Sequence, residues 1–282
     1  MSRRGNGALR SAALMLVSAL ILLVWIVPIL LAVVTALKDE KEVLAYPPTL
    51  VFEATLKNYV AVLTGPTSIV PNLTSSLIIA VSTTLLSIII AVPAAYSIAR
   101  LRLPGKRTLG FYVLATQLVP PIGLIIPYFL ILNRFGWMDS YKGMVLIYIT
   151  FSLPFAIWLL VSYFEDIPRE MEEAAMLDRA SRWQAFWHVV LPQARGAIAV
   201  TVIFVFLNSW NEFLFAVVLG GANVKPVTVA MYNYINTEQT QWAQLSAAAL
   251  LAMLPVIVLG VLAQKHIVKG LTAGAVKGAG RR

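Results

Sequence analysis

Two groups of residues stand out by type and spacing. The first is a polar segment between two apolar runs: Glu165-Asp166-Ile167-Pro168-Arg169-Glu170-Met171-Glu172-Glu173-Ala174-Ala175-Met176-Leu177-Asp178-Arg179-Ala180-Ser181-Arg182-Trp183-Gln184. Pro168 suits a first helical turn, where its missing N–H costs nothing. Glu170, Glu172 and Glu173 then favour the positive end of the helix dipole. Met171, Ala174, Ala175 and Asp178 fall at i, i+3, i+4 and i+7, so they share one face. The middle of that face is small, which lets another surface approach closely. Asp178 and Arg179 end the helix, and Ser181 with Gln184 makes a capping box for a second one. Pro192 marks the start of the next apolar run. A plain solvated loop explains neither the small stripe nor the two capped helices.

The second group is polar residues inside apolar runs: Gln117, Asn208, Asn211 and Glu212. Polar groups at membrane depth are costly and often functional. Counted from Ala197, Asn208 lies ~16 Å along its run, near mid-bilayer. Amides and a carboxylate there suit hydroxyl groups of a solute. Asn side chains also bridge helices, and both readings stand for Asn208 and Asn211. Other chemistries find no footing. Gly105-Lys106-Arg107-Thr108 lacks the upstream Gly of a G-x-x-x-x-G-K-S/T phosphate loop. Cysteine is absent, and His188 and His266 are isolated, so no metal cluster is expected. No nucleophile–base spacing indicates an enzyme.

These residues depend on elements set by the hydropathy. Of 282 residues, 59% are hydrophobic and 12% charged, against roughly 25% charged in soluble domains. About six runs approach the ~20 residues a helix needs to cross a bilayer. They lie near 11–37, 73–99, 109–132, 144–164, 197–219 and 245–267. In lipid such runs are helices, because every backbone group must be satisfied internally. The expected fold is an all-α polytopic membrane protein. The first run is too long for the roughly 7–15 residues of a signal-peptide core and reads as a retained helix. Pro28, Pro93, Pro127, Pro154 and Pro255 imply kinks, and Pro120-Pro121 implies a break in the third span.

Topology follows from loop charge. With the N-terminus inside, inside segments hold Arg3, Arg4, Arg10, Arg100, Arg102, Lys106, Arg107, Arg169, Arg179, Arg182, Arg195, Lys265, Lys269, Lys277, Arg281 and Arg282. Outside segments hold only Lys38, Lys41, Lys57, Arg134, Lys142 and Lys225. The bias places both termini in the cytoplasm. It also accounts for the net charge of +9 without nucleic acid, and it favours contact with membrane lipid.

Glu173-Ala174-Ala175, position 179 six residues on, and Leu191-Pro192 resemble the EAA loop of binding-protein-dependent ABC importer permeases. Leu153-Pro154-Phe155-Ala156-Ile157-Trp158, Asn208-Ser209-Trp210-Asn211-Glu212-Phe213 and Gly270 to Gly278 are similar to the carbohydrate branch, particularly the MalG-type subunits of maltose-family importers. The resemblance implies a type I importer permease fold and a bacterial inner-membrane location. It implies an ATPase dimer, a second permease subunit and an extracytoplasmic solute-binding protein as partners. ATP and Mg are then used by the ATPase, with no cofactor on this chain. Arg169, Glu170, Glu173, Ala174, Ala175, Asp178, Arg179 and Pro192 become the ATPase-coupling set, and Gln117, Asn208, Asn211 and Glu212 a solute path. In the maltose case the partner permease holds most of the solute. The organisation expected is a first helix and outer loop (1–70), a permease core (71–268) with its coupling loop (165–192), and a tail (269–282). The family usually has Gly where Arg179 stands, which implies either a different turn or a strained one. A proton-coupled carrier using Glu212 is the alternative. The EAA-like loop and the lack of further embedded carboxylates count against it.

Overall fold

The computed structural model describes residues 3–49, 51–235 and 240–279. Arg281 and Arg282 lie outside the described residues, as do the side chains of Arg3, Arg4, Arg10, Arg107, Lys265, His266, Lys269 and Lys277. The chain runs α1 (Arg3–Leu37), α2 (Glu40–Val43), α3 (Lys57–Thr64), α4 (Val70–Arg100), α5 (Lys106–Ala115) and α6 (Ile125–Arg134). It continues through α7 (Tyr141–Asp166), α8 (Arg169–Leu177), α9 (Arg182–Ala185), α10 (Leu191–Gln193) and α11 (Arg195–Trp210). It ends with α12 (Leu214–Leu219), α13 (Val227–Ala230) and α14 (Trp242–Ala279). Among the described residues the only extended pairing is a single bridge between Ile235 and Thr240.

Four helices are long and apolar enough to cross a membrane, or up to six if each of two bent pairs is one span. One pair, Thr108–Leu118 with Pro121–Arg134, bends by 94°, at the Pro120-Pro121 position where a break is expected. The other, Arg182–Gln193 with Arg195–Trp210, bends by 72° just after a π-helical turn at Phe186–Val190. Pro28, Pro93, Pro154 and Pro255 stay inside continuous helices. The fifth expected span, 197–219, is not one helix: α11 stops at Trp210 and α12 begins at Leu214. The tail from 269 is helical in its backbone through Ala279.

Contacts divide the chain into two units. The first holds residues 1–70 with 231–253. Here Asn58 Nδ2 donates to the carbonyls of Ala36 and Lys38 at 2.9 and 2.8 Å, closing the end of α1. The Glu40 carboxylate accepts from the amides of Trp242 and Ala243 at 2.7 and 2.9 Å, a favourable anion position at the start of α14.

The second unit holds residues 71–230 with 254–282. One of its cores joins Ala91, Ala95, Tyr96, Ala156, Leu160, Phe164, Phe186, Val190 and Val205. Small residues on α4 and α7 let helices approach closely, as membrane packing requires. A second core gathers Ile79, Leu132, Met144, Ile147, Phe215, Ala216 and Leu219. Beside it, Asp139 (φ 48) clamps the turn after α12. Its carboxylate accepts from the Asn223 amide at 3.0 Å, the Asn223 side chain at 3.0 Å and the Val224 amide at 2.8 Å. Gly221 makes room: a Cβ there would lie 2.6 Å from the Asp139 carboxylate.

Partial burial tends to raise the Asp139 pKa, but the hydrogen bonds from Asn223, Val224 and Gly221 outweigh it and hold the carboxyl below its usual range. A carboxyl lowered by folding stabilises the fold above its unfolded pKa of about 3.9 and loses that contribution as pH falls through the lower folded value. The detergent-purified protein should therefore melt at lower temperature on acidification below about pH 4, and Asp139→Asn should flatten that dependence. Gly221→Ala should cost about 1–3 kcal/mol at neutral pH by displacing the clamp, read as a drop in melting temperature.

Candidate functional site

The segment 165–192 folds as a helix, a turn and a second helix. Pro168 is the N-cap (φ −57, ψ 132), so α8 begins one residue later, at Arg169. The second start is as read: Ser181 and Gln184 form a complete capping box on α9. Between them Asp178 is the C-cap of α8. The Arg179 amide donates to Met176 O and the Ala180 amide to Ala175 O, both at 3.1 Å. This pair of bonds is a Schellman closure, which needs a left-handed residue at its first position past the cap. Arg179 supplies it with φ 67. The usual turn is kept, and Arg carries the strain that Gly would avoid.

Arg169, Glu170, Met171, Glu173, Ala174, Asp178 and Arg179 are exposed, whereas Ala175 and Pro192 are half-buried. The outward face is therefore Met171, Ala174 and Asp178 flanked by Glu173, with Ala175 turned toward its neighbours. Glu172 points the other way and is 5% exposed. The Tyr96 hydroxyl donates to Glu172 Oε1 at 2.5 Å, and Arg100 Nε lies 3.6 Å from Glu172 Oε2. Arg100 Nη2 also donates to Ile167 O at 2.6 Å. The Tyr96 ring packs on Phe186 at 4.6 Å and on Phe164 at 6.0 Å between centroids. One tyrosine thus ties α4, α7, α8 and the π-turn together. Beside this anchor, Arg100, Arg102, Arg169 and Arg182 line a recess of about 530 Å³ with Glu172 and Glu173. Its excess of guanidinium groups suits an acidic partner group.

The polar residues of the apolar runs separate. Gln117, Asn208 and Glu212 line a cavity of about 340 Å³ together with Tyr148, Ser209, Phe151, Phe155 and Phe215. Asn211 does not line it; its side chain donates to Leu207 O at 2.9 Å, closing α11. Glu212 lines the cavity but is engaged as a cap. Its oxygens accept from the amides of Phe215 at 3.0 Å and Ala216 at 3.2 Å, and its carbonyl accepts from Thr228 Oγ1 at 2.8 Å. A carboxylate held this way opens α12 and gives no support to proton-carrier chemistry. Gln117 Nε2 donates to Phe151 O at 3.0 Å.

Sequence reading gives Glu172 only as a helix-dipole charge and Arg100 only as a loop charge, and it assigns no role to Tyr96, Tyr148 or Ser209. A signal existed for Glu172, which lies off the Met171–Ala174–Asp178 face and so points inward. Nothing local marks its partners, since they stand more than 70 residues away in the chain.

Two substitutions in this loop should act with opposite sign. Glu172→Ala leaves Arg100 buried without its counter-charge and should destabilise by about 3–5 kcal/mol. Arg179→Gly relieves the left-handed position and should stabilise by about 1 kcal/mol. Thermal melts of the purified protein check both; a lower melting temperature for Arg179→Gly would show the arginine side chain to be a contact.

Known proteins share this architecture. A family model described as "Binding-protein-dependent transport system inner membrane component" matches residues 87–273, which include α8, the turn and α9. The trehalose/maltose transport system permease protein MalG of Thermococcus litoralis is 32% identical over 274 residues, covering 96% of this chain and 98% of that protein. The trehalose transport system permease protein SugB of Mycobacterium tuberculosis is 35% identical over 263 residues, covering 92% and 93%. Among solved structures, a chain of a bacterial ABC transporter involved in import of the acidic polysaccharide alginate matches with a TM-score of 0.77 and 25% identity, covering 94% of this chain and 98% of that one. The anchored helix–turn–helix thus sits in a multi-pass scaffold of transport components, and the chain belongs to the family of inner-membrane permease components of binding-protein-dependent ABC importers.

Proposed function

We propose that this chain passes a sugar or sugar derivative across a bacterial inner membrane by alternating access. It does so as one of two permease subunits, receiving solute from an extracytoplasmic binding protein. ATP and Mg are used by a partner ATPase dimer, and this chain holds no cofactor. The sugar class is supported by relatives named for trehalose and maltose transport. Both termini and the α8–α9 loop lie in the cytoplasm, a reading supported by the excess of Lys and Arg in the loops on that side.

The observation that carries the coupling role is the geometry of α8. Its outward face is small at Ala174, while its inward face is fixed by the buried Glu172. A helix that is rigid inward and smooth outward can seat in a groove and transmit displacement. Glu173, also exposed, is placed to meet a basic residue of the ATPase, and an acidic group of the ATPase suits the arginine-lined recess.

Ala174→Trp tests this. The side chain is exposed, so the chain should still insert and pair with the second permease. ATPase subunits should no longer co-purify at normal yield, and uptake should fall at least tenfold, about the effect of 1.4 kcal/mol lost at the contact. Normal ATPase association together with normal uptake would rule the docking role out.

A further inference from the structure

We propose that the cavity between α7, α11 and the α5–α6 break is a subsite for a neutral sugar, with the Tyr148 and Ser209 hydroxyls as its buried recognition groups. The proposal rests on the sugar-permease reading above and goes beyond it by assigning contacts and solute charge. Tyr148 is 3% and Ser209 7% exposed, and the Ser209 hydroxyl has no hydrogen-bond partner. Buried polar groups are nearly always paired, and each exception calls for a cause. Both residues line the same cavity. Thr83 and Ser87 are likewise unpartnered but do not line it. The Tyr148 hydroxyl faces the Glu212 carboxylate as a hydrogen-bond partner, and that carboxylate also accepts from the amides of Phe215 and Ala216.

The rest of the lining fits a polyhydroxylated ring. Asn208 presents an amide, and Gln117 keeps its oxygen free after its nitrogen is used on Phe151 O. Phe151 and Phe215 stack at 4.8 Å and offer apolar surface to the C–H face of a ring. At about 340 Å³ the cavity falls within the roughly 300–1,000 Å³ of small-molecule sites. Its charge is equally informative. The described lining contains one carboxylate and no Lys or Arg. An anionic sugar would enter low dielectric beside a like charge with no cation to offset it. The geometry therefore selects against uronates and sugar phosphates.

The test uses the complete transporter in proteoliposomes with its second permease, ATPases and binding protein. Labelled glucose, trehalose, maltose and galacturonate are the probes. The variant is Tyr148→Phe with Ser209→Ala, which removes only the two hydroxyls. With wild type carrying a neutral sugar, the variant should import it about fivefold more slowly per ATP hydrolysed, the scale of one or two lost hydrogen bonds. The half-saturating sugar concentration, set by the binding protein, should not move, nor should the yield of assembled complex. Uptake equal to wild type would overturn the subsite and leave the sugar-permease reading intact. Yield falling in step with uptake would make the hydroxyls structural and overturn it equally. A wild type that carries galacturonate alone overturns the neutral preference, and one that carries none of the four overturns the sugar reading with it.

Discussion

Water is absent from the hydrocarbon interior, so every backbone amide and carbonyl there must find its partner within the protein. The described chain is almost wholly helical under that constraint. More telling is what happens where a helix is interrupted. Between α11 and α12, Asn211 returns its side chain to Leu207 O. Glu212 takes two amides at the start of α12, and Thr228 covers the Glu212 carbonyl. Consecutive polar residues thus repair both sides of one break. At the other break the remedy is subtraction: Pro120 and Pro121 have no N–H to leave unpaired. Each interruption leaves side chains facing a cavity rather than a helix stripe, which is how a bundle held together by apolar contacts acquires a polar interior surface.

The same low dielectric governs the anchor of α8. A buried Glu172–Arg100 pair is not strong evidence of stability, since desolvation offsets much of the attraction. Its value lies in geometry. Removing either partner strands a charge, so the pair resists one-sided rearrangement. Tyr96 adds a hydroxyl to one carboxylate oxygen, and Arg100 adds a bond to Ile167 O at the end of α7. A displacement applied to α8 must therefore carry α4 and α7 with it. The strained turn at Arg179 fits this arrangement. The Schellman closure bonds Met176 O and Ala175 O, fixing the end of α8 whether or not the residue there is comfortable.

How much of this was legible in the sequence depended on the range of the interaction. Local rules placed the caps: Ser181 with Gln184, Asp178 as the last turn of α8, and the Pro120-Pro121 break. Hydropathy placed the long helices, because length and apolarity are properties of one segment. The break at 211–213 escaped, since it contains neither Pro nor Gly and the hydropathy runs on through it. Spacing alone puts Ala175 on the outward face; packing turns it partly inward while Ala174 stays out. Tyr148, Ser209, Tyr96 and Arg100 acquire meaning only through partners or cavities that the tertiary fold creates. Glu212 looked like an embedded acid, and only the positions of the Phe215 and Ala216 amides show it to be a cap.

That last reassignment bears on how the transport cycle is driven. Glu212 accepts from the two amides that open α12, so its carboxylate serves the break in the scaffold. Movement reaches the cavity through packed helices. The Tyr96–Glu172–Arg100 contact links the exposed α8 to α4, and α7 and α11, which carry Tyr148 and Ser209, pack side by side. A push on the outward face of α8 would alter the spacing of the walls that hold the Tyr148 and Ser209 hydroxyls. On the proposed reading, a subsite whose Ser209 hydroxyl is satisfied only when occupied is one that such a movement can empty, because separating the walls removes the solute's partners on one side first.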